Sequence, residues 1–237
     1  MKKYKYIFTD LDGTLYKIYP EEFTVLYKKN FIYFLAEKGL DSVIADYLIE
    51  AFYIMRKIDG TRPVKDLFFE YLVPKSNMGE DKWKDLLTEF YNSEYYRDIK
   101  KVSSVNPVMK DVIKALKEKG YKIFLTTNPV FYRLALEKRL EWAEIDKNNF
   151  EFITSMETMH YTKPYKEYFD EVVKKYNLNP SDILMIGNDT YDDTACETIG
   201  IDCYIVTDSI INASGKPIST KYYSDSKTLL ELIKNEF

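Results

Sequence analysis

The chain has 237 residues, 46% apolar and 30% charged, an ordinary globular make-up with room for one large domain and a smaller one. Its 34 basic and 38 acidic residues give a net charge of −4, which argues against a nucleic-acid binder. Two cysteines and one histidine exclude a disulfide framework and a zinc cluster, and they fit a reducing, cytoplasmic setting. No stretch approaches the ~20 apolar residues of a membrane span, so no membrane partner is expected.

The opening MKKYKYIFTDLDG starts like a signal peptide, but its apolar run is too short and two acids interrupt it. Within it, Tyr6 to Thr9 is a short aromatic and β-branched run that ends at Asp10, the pattern of a buried parallel strand. Residues ~20 to ~97 then show helical periodicity and no strand. Four apolar faces recur there: Phe23, Leu26, Tyr27, Phe31, Phe34 and Leu35; Ala45, Leu48, Ile49, Phe52 and Met55; Leu67, Phe68, Tyr71 and Leu72; Trp83, Leu86, Leu87, Phe90 and Tyr91. Pro107–Lys119 is a helix opened by proline and stopped by Gly120. Strands follow at Tyr121–Thr126 and Phe150–Thr154, then a helix at Pro164–Tyr176. Strands at Ile183–Ile186 and Cys203–Val206 come next, and polar Thr207–Asp225 reads as a long loop. Strands alternating with helices predict an α/β fold with a doubly wound parallel sheet. The helical stretch is an insertion, so residues 1–16 and 100–237 form the core and 17–99 a separate all-helical unit.

Chemistry concentrates after the first strand, in Asp10-Leu11-Asp12-Gly13-Thr14-Leu15. Ligands of open parallel sheets bind outside the carboxyl ends of strands, where Asp10 emerges. Two carboxylates there suit Mg²⁺, a hard cation that takes oxygen ligands. They also suit covalent catalysis, because a carboxylate can attack phosphorus. Later in the chain, the apolar run Ile183–Ile186 leads through Gly187 and Asn188 into Asp189, Asp192 and Asp193. Asp189 and Asp193 are four apart and share a face if the turn is helical.

The first of these motifs resembles that of the haloacid dehalogenase (HAD) superfamily, and three later motifs extend the resemblance along the chain. Thr127 with Asn128 is similar to the second motif, a phosphate-binding hydroxyl at a strand end, with Thr126 as a competing choice. Lys163, before Pro164, is similar to the third, and Gly187 to Asp193 to the fourth, where the family usually has Gly-Asp and this chain has Gly187-Asn188. The resemblance implies a Rossmann-like core with a helical cap between the first two motifs, and a Mg²⁺-dependent phosphatase acting on a small phosphorylated metabolite. Asp10 would be the nucleophile and Asp12 the general acid and base. Thr127, Asn128 and Lys163 would hold the phosphoryl group. The metal would lie between Asp10, the Asp12 carbonyl and Asp189, with Asp193 holding a metal-bound water and Asp192 unassigned.

Alternatives from the same family are a phosphomutase similar to β-phosphoglucomutase and a haloacid dehalogenase; the second acid Asp12 argues for phosphate over halide. A binding protein on the same scaffold is disfavoured because Asp10 and Asp12 are both present, and a response-regulator-like receiver because its phosphorylatable Asp would lie later in the chain. A monomer or homodimer is expected. The cap aromatics read mainly as core, with a base-stacking wall as the sharper alternative. Arg56 and Arg62 are expected to be solvated, His160 to be a surface or loop residue, Cys196 and Cys203 to be apolar fillers, and Asp208 to have no role.

Overall fold

In the computed structural model, which describes residues 4–236, the run before Asp10 is strand β1 (Tyr6–Thr9), with Ile7 and Phe8 fully buried. The basic start of the signal-like segment, Met1–Lys3, lies outside the described residues. The chain next makes a three-residue strand β2 (Tyr16–Ile18) and enters five helices: α1 (Pro20–Glu37), α2 (Val43–Met55), α3 (Val64–Ser76), α4 (Glu80–Asn92) and α5 (Glu94–Asp98). It leaves through β3 (Ser103–Val105), which pairs antiparallel with β2, Tyr16 opposite Val105. This two-stranded strap, which carries no hydrophobic pattern long enough to be read from sequence, closes the base of the insertion.

The predicted apolar faces meet inside the insertion. Phe31 and Phe90 pack edge to face at 4.9 Å between ring centres, and Trp83 is fully buried. Each such burial stabilises by roughly 1.5–3 kcal/mol. The insertion is also tied to the rest of the molecule: the N–H groups of Val64 and Lys65 donate to the carbonyls of Met159 (2.8 Å) and Met156 (2.9 Å).

The core continues with α6 (Pro107–Glu118), β4 (Lys122–Leu125), α7 (Arg133–Trp142), β5 (Phe150–Ile153), α8 (Lys166–Lys175), β6 (Ile183–Gly187), β7 (Asp202–Val206), β8 (Tyr222–Ser224) and α9 (Ser226–Glu236). Six parallel strands form one sheet in the order β5-β4-β1-β6-β7-β8. β1 lies between β4 and β6, so its carboxyl end faces the crevice where such sheets bind ligands.

The segment Thr207–Asp225 is not only a loop, because β8 extends the sheet within it and α9 follows. β8 has just three residues, only partly buried, too few for its alternation to be legible. Asp208, expected to have no role, accepts from the Ser226 N–H (2.7 Å) and hydroxyl (2.7 Å) at the start of α9. No helix of the described residues is long and apolar enough to cross a membrane.

Candidate active site

Asp10 leaves the end of β1 with its N–H still bonded to Ile186 of β6, and it is 8% exposed. Lys163 reaches it from the loop before α8, with Nζ 3.0 Å from Asp10 Oδ1 and 2.6 Å from Asp193 Oδ1. The lysine side chain is 1% exposed, so the ion pairs are shielded from water. Asp193 Oδ2 accepts from the N–H groups of Asn188 and Asp189, both at 2.9 Å. A Cβ at Gly187 would lie 2.2 Å from Asp193 Oδ2, so glycine is what lets the strand end approach this carboxylate.

One cation thus faces two carboxylates. Burial raises the Asp10 carboxyl, Lys163 opposes it, and Asp193 and Asp12 add to it, leaving the group pushed up to about 7. Asp193 has three N–H donors, so Asp10 is the carboxylate left with excess negative charge. Burial alone would lower the Lys163 ammonium, but Asp10 and Asp193 outweigh it and hold it well above its ordinary value.

The fourth motif spreads its polar side chains over several partners. The metal set expected from sequence, the Asp10 carboxylate, the Asp12 carbonyl and Asp189, does not consist of three acid side chains, and no cluster of three such side chains occurs among the described residues. Asp189 Oδ1 turns back to accept from the N–H groups of Tyr191 (2.7 Å) and Asp192 (3.0 Å). Beside Asp10 stands Asn188: the Thr14 hydroxyl lies 2.9 Å from Asn188 Oδ1 and 3.4 Å from Asp10 Oδ2. Asn188 Nδ2 donates to the Ser209 carbonyl at 2.7 Å, which fixes the amide with its oxygen toward Thr14. Asp193 uses both oxygens on Lys163 and the backbone, so it anchors the lysine. The donor set near Asp10 is therefore one carboxylate and one amide oxygen, with the Asp12 carbonyl two residues on. Mg²⁺ suits such a set because it takes few protein oxygens and keeps several waters.

Asp12, at the edge of the cavity, is held by two other side chains. Its Oδ1 accepts from the Tyr16 hydroxyl (2.7 Å) and its Oδ2 from Arg139 Nη1 (2.5 Å). Arg139, on α7, is 1% exposed, with its guanidinium 4.1 Å from the centre of the Phe131 ring. Nε and Nη2 of this arginine are buried without a hydrogen-bond partner. The sequence reading missed Arg139. Its signal is a charged residue within the buried stripe Ala135, Leu136, Arg139, Leu140. Gly13, next to Asp12, has φ +87°, and a Cβ there would lie 2.3 Å from Asn188 Nδ2.

The two threonines of the second motif are held differently. The Thr126 hydroxyl is turned inward, 3.4 Å from the Thr9 carbonyl. Thr127 is held at the strand end by its carbonyl, which accepts from Thr154 (2.7 Å) and Tyr168 (2.8 Å). Asn128 Nδ2 donates to Asp192 Oδ2 at 3.1 Å. Asp192 also accepts from Arg56 Nη2, 3.0 Å from each carboxylate oxygen, so Arg56 ties the insertion to the fourth motif and is not merely solvated. The Arg62 side chain is exposed, as expected, and pairs with the exposed Glu70. His160 is a part-exposed loop residue bonded to Glu171 at 2.9 Å, and both cysteines are buried.

A cavity of about 560 Å³ lies between the insertion and the sheet edge. Asp12, Gly13 and Asn188 line one end of it, and Phe23, Phe52 and Phe131 line its wall.

Comparison with known proteins gives a consistent assignment. Residues 4–200 match the family model of haloacid dehalogenase-like hydrolases. Among curated proteins, the pyrophosphatase PpaX of Bacillus cereus (strain ATCC 10987 / NRS 248) is 23% identical over 119 residues, 49% of this chain and 52% of that protein. The match thus spans about half the length of this relative. Among solved structures, a predicted phosphoglycolate phosphatase from Haemophilus somnus 129PT superposes with a TM-score of 0.59 at 21% identity, covering 98% of this chain and 99% of that one. The HAD hydrolase YfnB of Bacillus subtilis, described as bound to magnesium, gives a TM-score of 0.57 at 18% identity over 99% of this chain and 100% of that one. At these identities the superpositions speak to the fold.

Proposed function

This chain belongs to the haloacid dehalogenase-like hydrolases, and from that premise we propose that it is a Mg²⁺-dependent phosphatase that hydrolyses a small phosphate monoester through a phosphorylated Asp10. The observation that carries the reading is the buried group of Asp10, Lys163 and Asp193 at the carboxyl end of β1. A carboxylate paired with a dry lysine point charge suits a nucleophile and the anion it attacks.

The Asp10 carboxylate attacks phosphorus, and the bond from phosphorus to the ester oxygen breaks. Asp12 gives a proton to the departing alkoxide, which leaves as the alcohol. Water then loses a proton to Asp12 as its oxygen bonds to phosphorus, the acyl phosphate bond breaks, and orthophosphate leaves with Asp10 restored. Lys163 and Thr127 hold the phosphoryl oxygens. Mg²⁺, when bound by the Asp10 carboxylate, the Asn188 amide oxygen and the Asp12 carbonyl, would neutralise charge on those oxygens. The helical insertion serves as a cap that covers the leaving group and excludes water.

Phosphate release from the alkyl monoester glycerol 2-phosphate and from acetyl phosphate, measured with Mg²⁺ and with EDTA, tests this. We expect turnover that EDTA abolishes and that Asp10→Asn reduces by at least about a thousandfold. An Asp10→Asn protein that stays folded and retains near-normal turnover refutes the scheme. Product analysis with a hexose 1-phosphate separates hydrolysis from mutase chemistry.

A further inference from the structure

The cavity beside the site is large and walled by rings. On α2 the apolar stripe divides: Ala45, Leu48 and Met55 are fully buried, whereas Ile49 and Phe52 are only half-buried and line the cavity. Phe131, also half-buried, sits 4.7 Å from Phe52 and 6.2 Å from Phe23 between ring centres. Helical spacing alone does not require rings to stay uncovered, and uncovered apolar surface inside a concave site marks ligand contact. Its lining also carries charged and polar groups, Lys17, Arg56, Arg139 and Asp208 beside Asp12 and Asn188.

Size then argues against the smallest phosphate compounds. At ~30 Å³ of liquid per water, a cavity of about 560 Å³ holds on the order of twenty waters. Pyrophosphate or phosphoglycolate, for which relatives of this fold are named, would leave most of it wet.

We propose that the substrate is a phosphomonoester whose alcohol carries an aromatic or heteroaromatic ring, packed against the wall formed by Phe23, Phe52 and Phe131 while its phosphate reaches Asp10. This rests on the phosphatase reading above. The ring packs offset or edge-on against the phenyl groups, which adds to the burial of its apolar area. Cleavage follows the same balance as before: the phosphorus–oxygen bond breaks, one water is consumed, and the ring-bearing alcohol leaves with a proton from Asp12.

The test compares kcat/KM for pyridoxal 5′-phosphate and nucleoside 5′-monophosphates with that for pyrophosphate, 2-phosphoglycolate and acetyl phosphate, all with Mg²⁺. At least one ring-bearing ester should exceed pyrophosphate and phosphoglycolate by about a hundredfold. Thr24→Trp fills the cavity from the half-buried face of α1. It should lower the ratio of ring-ester to acetyl phosphate kcat/KM about tenfold, with the urea midpoint reporting that it is folded. The proposal is overturned if pyrophosphate or phosphoglycolate is turned over as well as any ring-bearing ester. It also falls if acetyl phosphate alone is hydrolysed, or if a folded Thr24→Trp leaves the ratio unchanged. Asp10-dependent acetyl phosphate hydrolysis would leave the phosphatase reading standing in each of these cases; its absence would remove both.

Discussion

The pair formed by Asp12 and Arg139 is unequal, and removing either member should reveal it. Arg139 is 1% exposed, whereas the Asp12 side chain is 31% exposed and also holds the Tyr16 hydroxyl. Asp12→Ala strands a buried guanidinium whose Nε and Nη2 already lack partners. Breaking a buried pair in this way costs about 3–5 kcal/mol, and the low end applies because water can enter where Asp12 was. Arg139→Met leaves a carboxylate that water and Tyr16 can solvate, and methionine fills much of the space over Phe131. The loss should be about 1 kcal/mol. The double variant removes the stranded charge, so it should be about 2 kcal/mol more stable than the sum of the single losses. Urea unfolding of the wild type, both single variants and the double variant, at constant m, gives the cycle. A larger loss for Arg139→Met than for Asp12→Ala, or single losses that add within about 0.5 kcal/mol, would refute the unequal pair.

Gly13→Ala forces a side chain into φ +87° and against Asn188, and should cost about 2 kcal/mol in urea unfolding together with most of the turnover; a neutral result would mean the turn relaxes freely. Asn188→Asp sets a carboxylate against the Ser209 carbonyl, so thermal melting in EDTA should reveal a loss of about 1–3 kcal/mol that Mg²⁺ reduces. An equal deficit with and without Mg²⁺ would deny Asn188 a place at the metal. Partial burial would raise the Glu137 carboxyl, but hydrogen bonds from Lys147 (2.7 Å) and Arg133 (2.9 Å) outweigh it and hold it below its ordinary value. The resulting stability is present above the unfolded value and lost as pH falls through the lowered folded one. Glu137→Gln should therefore cost about 0.5–1 kcal/mol near neutrality and nothing at pH well below both values, read from urea midpoints across pH.

What sequence alone determined is local or repeats at short range. Buried parallel strands are continuous apolar runs, so β1, β6 and β7 were legible, and the four stripes between Phe23 and Tyr91 announced helices of the insertion. Asp10, Asp12 and Lys163 were legible because acids after a strand and a lysine before Pro164 match a family pattern. Tertiary structure decided which side chain of the fourth motif faces Asp10. Asn188 and Asp189 are adjacent in the chain, and only the path of β6 past Gly187 sends the first toward Thr14 and the second back onto its own turn. It also decided that Asp12 meets Arg139 across 127 positions of sequence. Such contacts are set by the packing of α7 against the insertion and the sheet, and no period in the chain encodes them.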